Sequence, residues 1–409
     1  MDFSIVDGGG VCFPRGFRAA GSAAGLKASG KEDVALLVSD APAVCAGTFT
    51  TSLFPAAPVT RCRALLGGRD AFRAVFVNSG NANACTGAVG GRDAETTAAM
   101  VAERLGLDSG EVLVASTGRI GVPLPMDIVE KGVDMALSAL SADGGAAAAR
   151  AIMTTDTRPK EFAAKVPLGS VEAGIGGMAK GAGMIAPQME VVPHATMLAF
   201  LTTDAAVERG FLAEILSDAL ERSFNRITVD GDESTNDTVL VLANGLAGNE
   251  PLSDGSPGAD IFASALSAAM EKLARDIVLD GEGATKFVRV KALGAVSAGD
   301  AEACARTIAD SLLCKTAWFG NDPNWGRVLA AAGRSGASFD PAKVSLFYDD
   351  APVVSGGMDA GTPESELSEI MRKGDFEVRI DLGAGDAAFE VWTCDISREY
   401  VTINADYHT

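Results

Sequence analysis

The pair Ala195-Thr196 has the residue types and the setting of a self-cleaving nucleophile. Thr196 precedes an apolar run, residues 197–201, and Pro187 and Pro193 interrupt the segment before it, so a loop enters a sheet here. A threonine hydroxyl there can attack the carbonyl of Ala195, and hydrolysis of the resulting ester leaves Thr196 as a new N-terminus. Its α-amine, with a pKa near ~8, then serves as general base for the same hydroxyl. The pattern alone favours an ordinary β-branched residue at a strand start.

The histidines and cysteines of the chain do not favour an alternative catalytic or metal-binding site. The only histidines are His194 and His408, which excludes a histidine-rich zinc site. The seven cysteines are odd in number, widely spaced and without a C-x-x-C motif, so we expect reduced thiols and neither disulfides nor a metal site. Cys85 has no histidine near it in the sequence, which favours a buried inert thiol over a nucleophile.

Two further segments resemble known loops without matching them. Residues 174–183, GIGGMAKGAG, lack the Ser or Thr after Gly-Lys that a phosphate loop needs, and a tight turn with close backbone packing is predicted. The acidic residues Asp230, Asp232, Glu233 and Asp237 do not follow the spacing of a calcium loop. They predict a capped turn between a strand and a helix.

Hydrophobic patterning intersperses helices with strands, which predicts an α/β or α+β layered fold. Apolar helical faces recur in residues 93–105, 211–219 and 262–273. Short apolar runs predict strands at residues 34–38, 74–78, 197–201, 227–229, 239–243, 287–292, 344–348, 376–382 and 388–393, with a loop at 253–258 and a turn at 383–386.

Charge and composition narrow the class of protein. The 409 residues include 34 Lys and Arg against 54 Asp and Glu, a net charge of −20. This argues against nucleic acid or an anionic membrane as the main partner, since both require a positive surface. The N-terminus lacks the pattern of a signal peptide, and no apolar run approaches the ~20 residues of a membrane helix. We therefore expect a cytoplasmic protein, and no cofactor or metal is predicted.

An ordered set of motifs resembles the ornithine acetyltransferase family, the bifunctional glutamate N-acetyltransferases of arginine biosynthesis. The motifs span nearly the whole chain: residues 77–83 (VNSGNAN), 116–118 (STG), 180–187 (KGAGMIAP), 195–198 (ATML), 202–204 (TTD), 228–232 (TVDGD), 234–238 (STNDT), 280–286 (DGEGATK), 320–327 (GNDPNWGR) and 403–409 (INADYHT). The resemblance implies a DmpA-like layered fold with chemistry similar to that of N-terminal-nucleophile hydrolases. It also implies autocleavage into an α chain, residues 1–195, and a β chain, residues 196–409, which fold together and assemble as two α and two β chains.

The resemblance also implies roles for individual residues. Thr196 matches the nucleophile, and Thr117 and Gly118 match an oxyanion hole, which acyl transfer requires to stabilise the negative oxygen of its tetrahedral intermediate. The matches to substrate contacts are Lys180, Glu282, Asn404, Thr409 and Thr154, with Thr155 as an alternative to Thr154. Lys180 can bind a carboxylate, and Glu282 can bind the α- or δ-ammonium group of ornithine.

The implied activity is acetyl transfer from N-acetyl-ornithine to glutamate through acetyl-Thr196, and bifunctional members also accept acetyl-CoA as donor. Two alternatives stay open: an amidase or altered-substrate acyltransferase on the same scaffold, and an unprocessed, catalytically silent binding protein. The segment 188–194 (QMEVVPH) is several residues longer than the family pattern and lies directly before the predicted cleavage site. We expect His194 to be solvated or packed and not to take part in cleavage.

Overall fold

A computed structural model describes residues 2–187 and 197–406 of the chain. These residues form two compact units, each with its own sheet and hydrophobic core. The first unit contains residues 2–187, 197–225 and Glu233–Ile277. The second contains Arg226–Asp232 and residues 278–406.

The first unit is built on one mixed sheet. Its strands are β1 (Ser4–Ile5), β2 (Phe17–Ser22), β3 (Val34–Phe49), β4 (Phe72–Asn81), β5 (Val112–Arg119), β6 (Lys160–Leu168), β7 (Val171–Lys180), β8 (Leu198–Thr203) and β9 (Thr238–Ala243). The strand order is β1-β6-β7-β8-β9-β3-β4-β5, and β2 also pairs with β3. Strands β8 and β9 are parallel, as are β4 and β5.

The central strands β8 and β9 are buried at every residue. Their sequences, LAFLTT and TVLVLA, are almost continuously apolar, as expected for strands covered on both faces. This burial fixes the ends of β8 and β9 rigidly in the sheet, which suits them to position a site.

Helices cover this sheet. They are α1 (Ala57–Gly68), α2 (Gly87–Leu105), α3 (Met126–Ser138), α4 (Gly145–Ala151), α5 (Arg209–Arg222) and α6 (Ala259–Leu279). The apolar face predicted for residues 93–105 is the buried face of α2, where Ala94, Ala98 and Val101 pack into the core. Short 3-10 helices lie at Ser109–Glu111 and Phe224–Arg226.

The second unit has a separate sheet and its own helices. Its strands are β10 (Phe287–Ala295), β11 (Ser345–Tyr348), β12 (Ala351–Ser355), β13 (Met358–Asp359), β14 (Asp375–Asp381) and β15 (Ala387–Cys394), in the order β13-β12-β11-β14-β10-β15. Its helices are α7 (Ala298–Ala309), α8 (Leu312–Phe319), α9 (Trp325–Gly333), α10 (Glu364–Met371) and α11 (Arg398–Asp406), with a 3-10 helix at Pro341–Lys343.

The layered fold and most predicted elements are confirmed, but two local predictions are wrong. Residues 174–180 belong to strand β7 and not to a tight turn. Glycine serves here because a Cβ on Gly176 would lie 2.3 Å from the carbonyl oxygen of Gly10. Residues 227–229 form no strand; only a single bridge joins Ile227 to Trp392.

The acidic segment before β9 is a turn, as predicted, although it follows a 3-10 helix and leads into a strand. The cysteine prediction fails only at Cys85, which is exposed because it lies at a positive φ of 55° in the turn before α2. Within the described ranges, no group of three or more His, Cys, Asp and Glu could hold a metal ion, and no helix is long and apolar enough to cross a membrane.

Candidate active site

In the first sheet, β7 ends beside the points where β8 and β9 begin. Lys180 is the last residue of β7 and pairs with Leu198, the first residue of β8. Leu198 pairs in turn with Thr238, the first residue of β9, whose amide donates to the Met197 carbonyl at 2.8 Å. The chain therefore enters β8, immediately after the predicted nucleophile position, at the level of Lys180.

The ends of β4 and β5 lie near these ends of β7, β8 and β9. Lys180 Nζ donates to the Thr117 hydroxyl oxygen at 3.4 Å, although the two residues are 63 positions apart in the chain. The Asn236 side-chain amide, two residues before β9, donates to the carbonyl oxygens of Ala82 at 2.6 Å and Ser116 at 2.7 Å. These bonds connect the start of β9 to the residue that precedes Thr117.

Gly118 occupies a position that no other residue fits. Its φ is 124°, and a Cβ there would lie 2.5 Å from the carbonyl carbon of Gly80, its partner on β4. Thr117 beside it is buried. Because the Thr117 oxygen accepts a hydrogen bond from an ammonium group, its own O–H proton is directed elsewhere and is polarised as a donor.

Asp156 supports this region from the loop before β6. It is fully buried, and its carboxylate accepts hydrogen bonds from Lys160 Nζ at 2.7 Å, the Gly181 amide at 2.7 Å and the Thr154 amide at 3.0 Å. Burial alone would raise the pKa of Asp156, but the charges of Lys160 and Lys180 and these hydrogen bonds hold it well below its usual range. Asp156 is therefore ionised and fixes the backbone at Thr154 and at Gly181, the residue after Lys180.

The structure groups the predicted substrate contacts into two sets. Thr117, Gly118 and Lys180 come together in the first unit, and Thr154 is linked to them through Asp156. In the second unit, Asn404 Nδ2 donates to Glu282 Oε2 at 2.6 Å and to the Tyr400 carbonyl at 3.0 Å. Asn404 lies on helix α11.

Ala195, Thr196, Thr409 and the segment 188–194, with His194, lie outside the described residues. Thr154 and Thr155 are both half-buried in one loop, and the structure does not distinguish between them.

A family model described as the ArgJ family matches residues 18–409. The chain belongs to the ArgJ family. It is 51% identical to the arginine biosynthesis bifunctional protein ArgJ of Symbiobacterium thermophilum over 98% of this chain and 99% of that one. It is 50% identical to the protein of the same name from Geobacter sulfurreducens over 97% and 99% of the two chains. The ArgJ crystal structure from Bacillus halodurans is similar with a TM-score of 0.50 and 40% identity, covering 52% of this chain and 100% of that chain.

Membership of the ArgJ family identifies an acetyltransferase of arginine biosynthesis. It also confirms the resemblance on which the sequence prediction rested. The roles of single residues are not decided by family membership and depend on the geometry of the site.

Sequence reasoning assigned Asp237 to a turn, yet the structure places it in this region. Asp237 is fully buried directly before β9, and neither of its oxygens accepts a hydrogen bond from another residue that the structure describes. Burial raises the pKa of Asp237 well above its usual range, and the nearby Lys180 charge offsets that only in part. Burial therefore favours the neutral form of the Asp237 carboxyl group.

Lys27 is a second residue that the sequence analysis missed. A Cβ on Gly80 would lie 3.2 Å from Lys27 Cγ, so the lysine stem lies against the strand end that pairs with Gly118. Burial lowers the pKa of the Lys27 ammonium to about 8, although Asp33 acts in the opposite direction, and Lys180 contributes to the lowering. No periodic pattern marks Lys27, because its loop reaches the site only through contacts distant in sequence.

Proposed function

We propose that the protein transfers the acetyl group of N2-acetyl-ornithine to glutamate through an acetyl ester on Thr196. The observation that carries this proposal is the contact of Lys180 with Thr117 at the level where the chain enters β8. A buried cation and a polarised hydroxyl there are the groups that an amino-acid carboxylate and a developing oxyanion require.

The proposed chemistry is a double displacement. The Thr196 hydroxyl oxygen attacks the acetyl carbonyl carbon while its proton passes to the α-amine of the same residue. Collapse of the intermediate breaks the amide C–N bond, and the proton leaves with the ornithine nitrogen. The glutamate α-amine then attacks the ester, which releases N-acetyl-glutamate and restores the hydroxyl.

We assign the Gly118 amide and the Thr117 hydroxyl to the oxyanion of both intermediates. Lys180 binds the α-carboxylate that donor and acceptor share. From the family resemblance we assign Glu282, Asn404, Thr154 and Thr409 as further substrate contacts, with Glu282 binding an ammonium group of ornithine. Acetyl-CoA as an alternative donor belongs to the same proposal.

Formation of the nucleophile requires cleavage between Ala195 and Thr196. Strands β7 and β8 flank the proposed cleavage site in the sequence and are hydrogen-bonded neighbours in one sheet, so the two fragments would remain associated through backbone hydrogen bonds. Half of this chain matches the Bacillus halodurans chain in full, as expected if a relative consists of two separate chains. An assembly of two α and two β fragments completes the proposal.

The direct test is the intact mass of the purified protein, with Thr196→Ala as the matched variant. We expect two fragments from the wild type, and from Thr196→Ala one chain of about 41.7 kDa that transfers no acetyl group. Initial rates should give parallel double-reciprocal lines for N2-acetyl-ornithine and glutamate. An uncleaved wild type that transfers acetyl would contradict the role of the α-amine. Release of acetate to water at a rate comparable to transfer would favour an amidase.

A further inference from the structure

Lys27 adds a second ammonium group beside the predicted oxyanion hole. Its Nζ donates to the Glu32 carbonyl at 2.6 Å and to the Ala151 carbonyl at 3.4 Å. The Ala151 carbonyl also accepts from the Ser79 hydroxyl at 2.5 Å, and Ser79 pairs with Thr117 across β4 and β5. The Lys27 ammonium is thus linked to the strand position of Thr117 through Ala151 and Ser79.

The loop that carries Lys27 is held in place by a buried carboxylate. Asp33 is fully buried and accepts from the amides of Ala24 at 2.7 Å, Gly25 at 2.9 Å and Lys27 at 3.0 Å. Three backbone bonds to one side chain fix the direction of the loop. Lys27 is therefore a positioned group and differs from the exposed Lys31 four residues later.

Four charged groups act on the Lys27 ammonium. Asp33 and Asp156 favour its protonated form, whereas Lys180 and Lys31 disfavour it. The effect of Lys180 on Lys27 indicates that the two ammonium groups are close enough to interact electrostatically. Both contribute positive charge to this region, where Asp156 is paired with Lys160.

The proposed reaction, on which this inference rests, poses a charge problem. Donor and acceptor occupy the same site in turn and share an α-carboxylate, which Lys180 can bind. Their side chains carry opposite charges: an ammonium group on the ornithine donor and a carboxylate on glutamate. The site therefore needs a second cation to bind the side-chain carboxylate of the acceptor. That group must be able to lose its charge when the donor binds with its side-chain ammonium group.

We propose that Lys27 is a specificity-determining residue that attracts the side-chain carboxylate of the glutamate acceptor. A lysine with a pKa of about 8 is mostly protonated at neutral pH, and it loses its proton at little cost when a cationic side chain approaches. Lys180 and Lys27 thus divide the two carboxylates of glutamate between them.

The test compares Lys27→Met with Lys31→Met, which removes the exposed lysine of the same loop. A charged hydrogen bond or ion pair of this kind typically changes affinity by about tenfold or more. We expect Lys27→Met to raise KM for glutamate about tenfold or more and to change KM for N2-acetyl-ornithine by less than about twofold. Lys31→Met should change neither by more than about twofold. Use of glutamine as an alternative acceptor should be insensitive to Lys27→Met.

Lys27→Arg supplies the second measurement. We expect kcat/KM of the wild type for glutamate to decline as pH rises above about 8, where Lys27 loses its proton. Arginine keeps its charge at every pH used, so Lys27→Arg should retain glutamate as acceptor and should not show this decline. Equal increases of both KM values in Lys27→Met, or none, would overturn the role of Lys27 while leaving the proposed function intact. A folded wild type that forms no N-acetyl-glutamate would instead contradict the proposed function.

Discussion

Two buried aspartates near Lys180 differ in their hydrogen-bond donors and in the direction in which their pKa values are shifted. Asp156 lies in the loop before β6, where two backbone amides and one lysine donate to its carboxylate. Asp237 lies directly before β9, with no such donor from another described residue. The pKa of Asp156 is lowered and that of Asp237 is raised, so the protein favours the charged form of the first and the neutral form of the second.

The difference shows that nearby cations and hydrogen-bond donors, and not depth in the protein alone, decide whether the charged form of a buried carboxyl group is favoured. It also bears on Lys180, because the charge of Lys180 lowers the pKa of Asp156 and partly offsets the rise in the pKa of Asp237.

Removing the satisfied aspartate should have the largest effect. Asp156→Ala leaves Lys160 buried without its ion-pair partner and frees two backbone amides. Loss of one member of a buried pair typically costs about 3–5 kcal/mol. We expect a decrease of that order in the free energy of unfolding, measured with urea in the Thr196→Ala background, where the chain is expected to stay in one piece. A loss below ~1 kcal/mol would mean that the pair does not support the fold.

Removing Lys180, whose charge acts on both aspartates, should have the second-largest effect. This effect should be on ligand binding. In Lys180→Met the α-carboxylates of donor and acceptor lose a charged partner, which corresponds to a rise in KM of roughly 10- to 100-fold for both substrates. Steady-state kinetics with each substrate varied measures this. Because Lys27 is expected to act on one substrate only, a selective effect of Lys180→Met on glutamate alone would contradict this division of roles.

Replacing Asp237 should have a smaller effect than replacing Asp156. It should raise the free energy of unfolding instead of lowering it. The pKa of Asp237 is higher in the folded state than in the unfolded state, so its cost to stability is absent at pH below ~4 and grows as pH rises toward the folded-state value. Asp237→Asn cannot ionise. We expect it to raise the free energy of unfolding by about 1–2 kcal/mol at pH 8 and to have little effect at pH 4. An equal change at both pH values would show that charge is not the cause.

An exposed aspartate should matter least. Asp40 pairs with Arg18 at 2.8 Å, but both side chains are well exposed to solvent. Exposed ion pairs typically contribute 0–1 kcal/mol. Asp40→Ala should therefore lower the free energy of unfolding by less than about 0.5 kcal/mol in the same urea assay. A loss comparable to that of Asp156→Ala would remove the contrast between exposed and buried pairs.

The sequence predicted those features that depend on local pattern. Continuous apolar runs predicted β8 and β9, and the helical face of α2 was visible in its spacing. The glycines of β7 were read as a turn because their true cause, close approach of the backbone at Gly10, is remote in sequence.

Only part of the site could be predicted from the sequence, because motifs are local whereas other site features depend on contacts between distant segments. Motif matches located Thr117, Gly118 and Lys180, which the structure brings together. Lys27 and the unsatisfied state of Asp237 depend on contacts between distant segments, and composition or periodicity cannot reveal them. Helix α11, which carries Asn404, was not predicted because the short motif around it gives no helical period.

The strand order β7-β8-β9-β3 has a consequence for the life of the protein after cleavage. With the chain cut before Thr196, β8 and β9 come from the second fragment and are inserted between β7 and β3 of the first. The uncut chain assembles this sheet in a unimolecular reaction, whereas two separated fragments would have to meet by diffusion. Recovery of the cleaved protein from full denaturation should therefore slow with dilution, and that of the uncut Thr196→Ala chain should not. Cleavage would thus make the native state one that the cell produces once and does not readily regenerate.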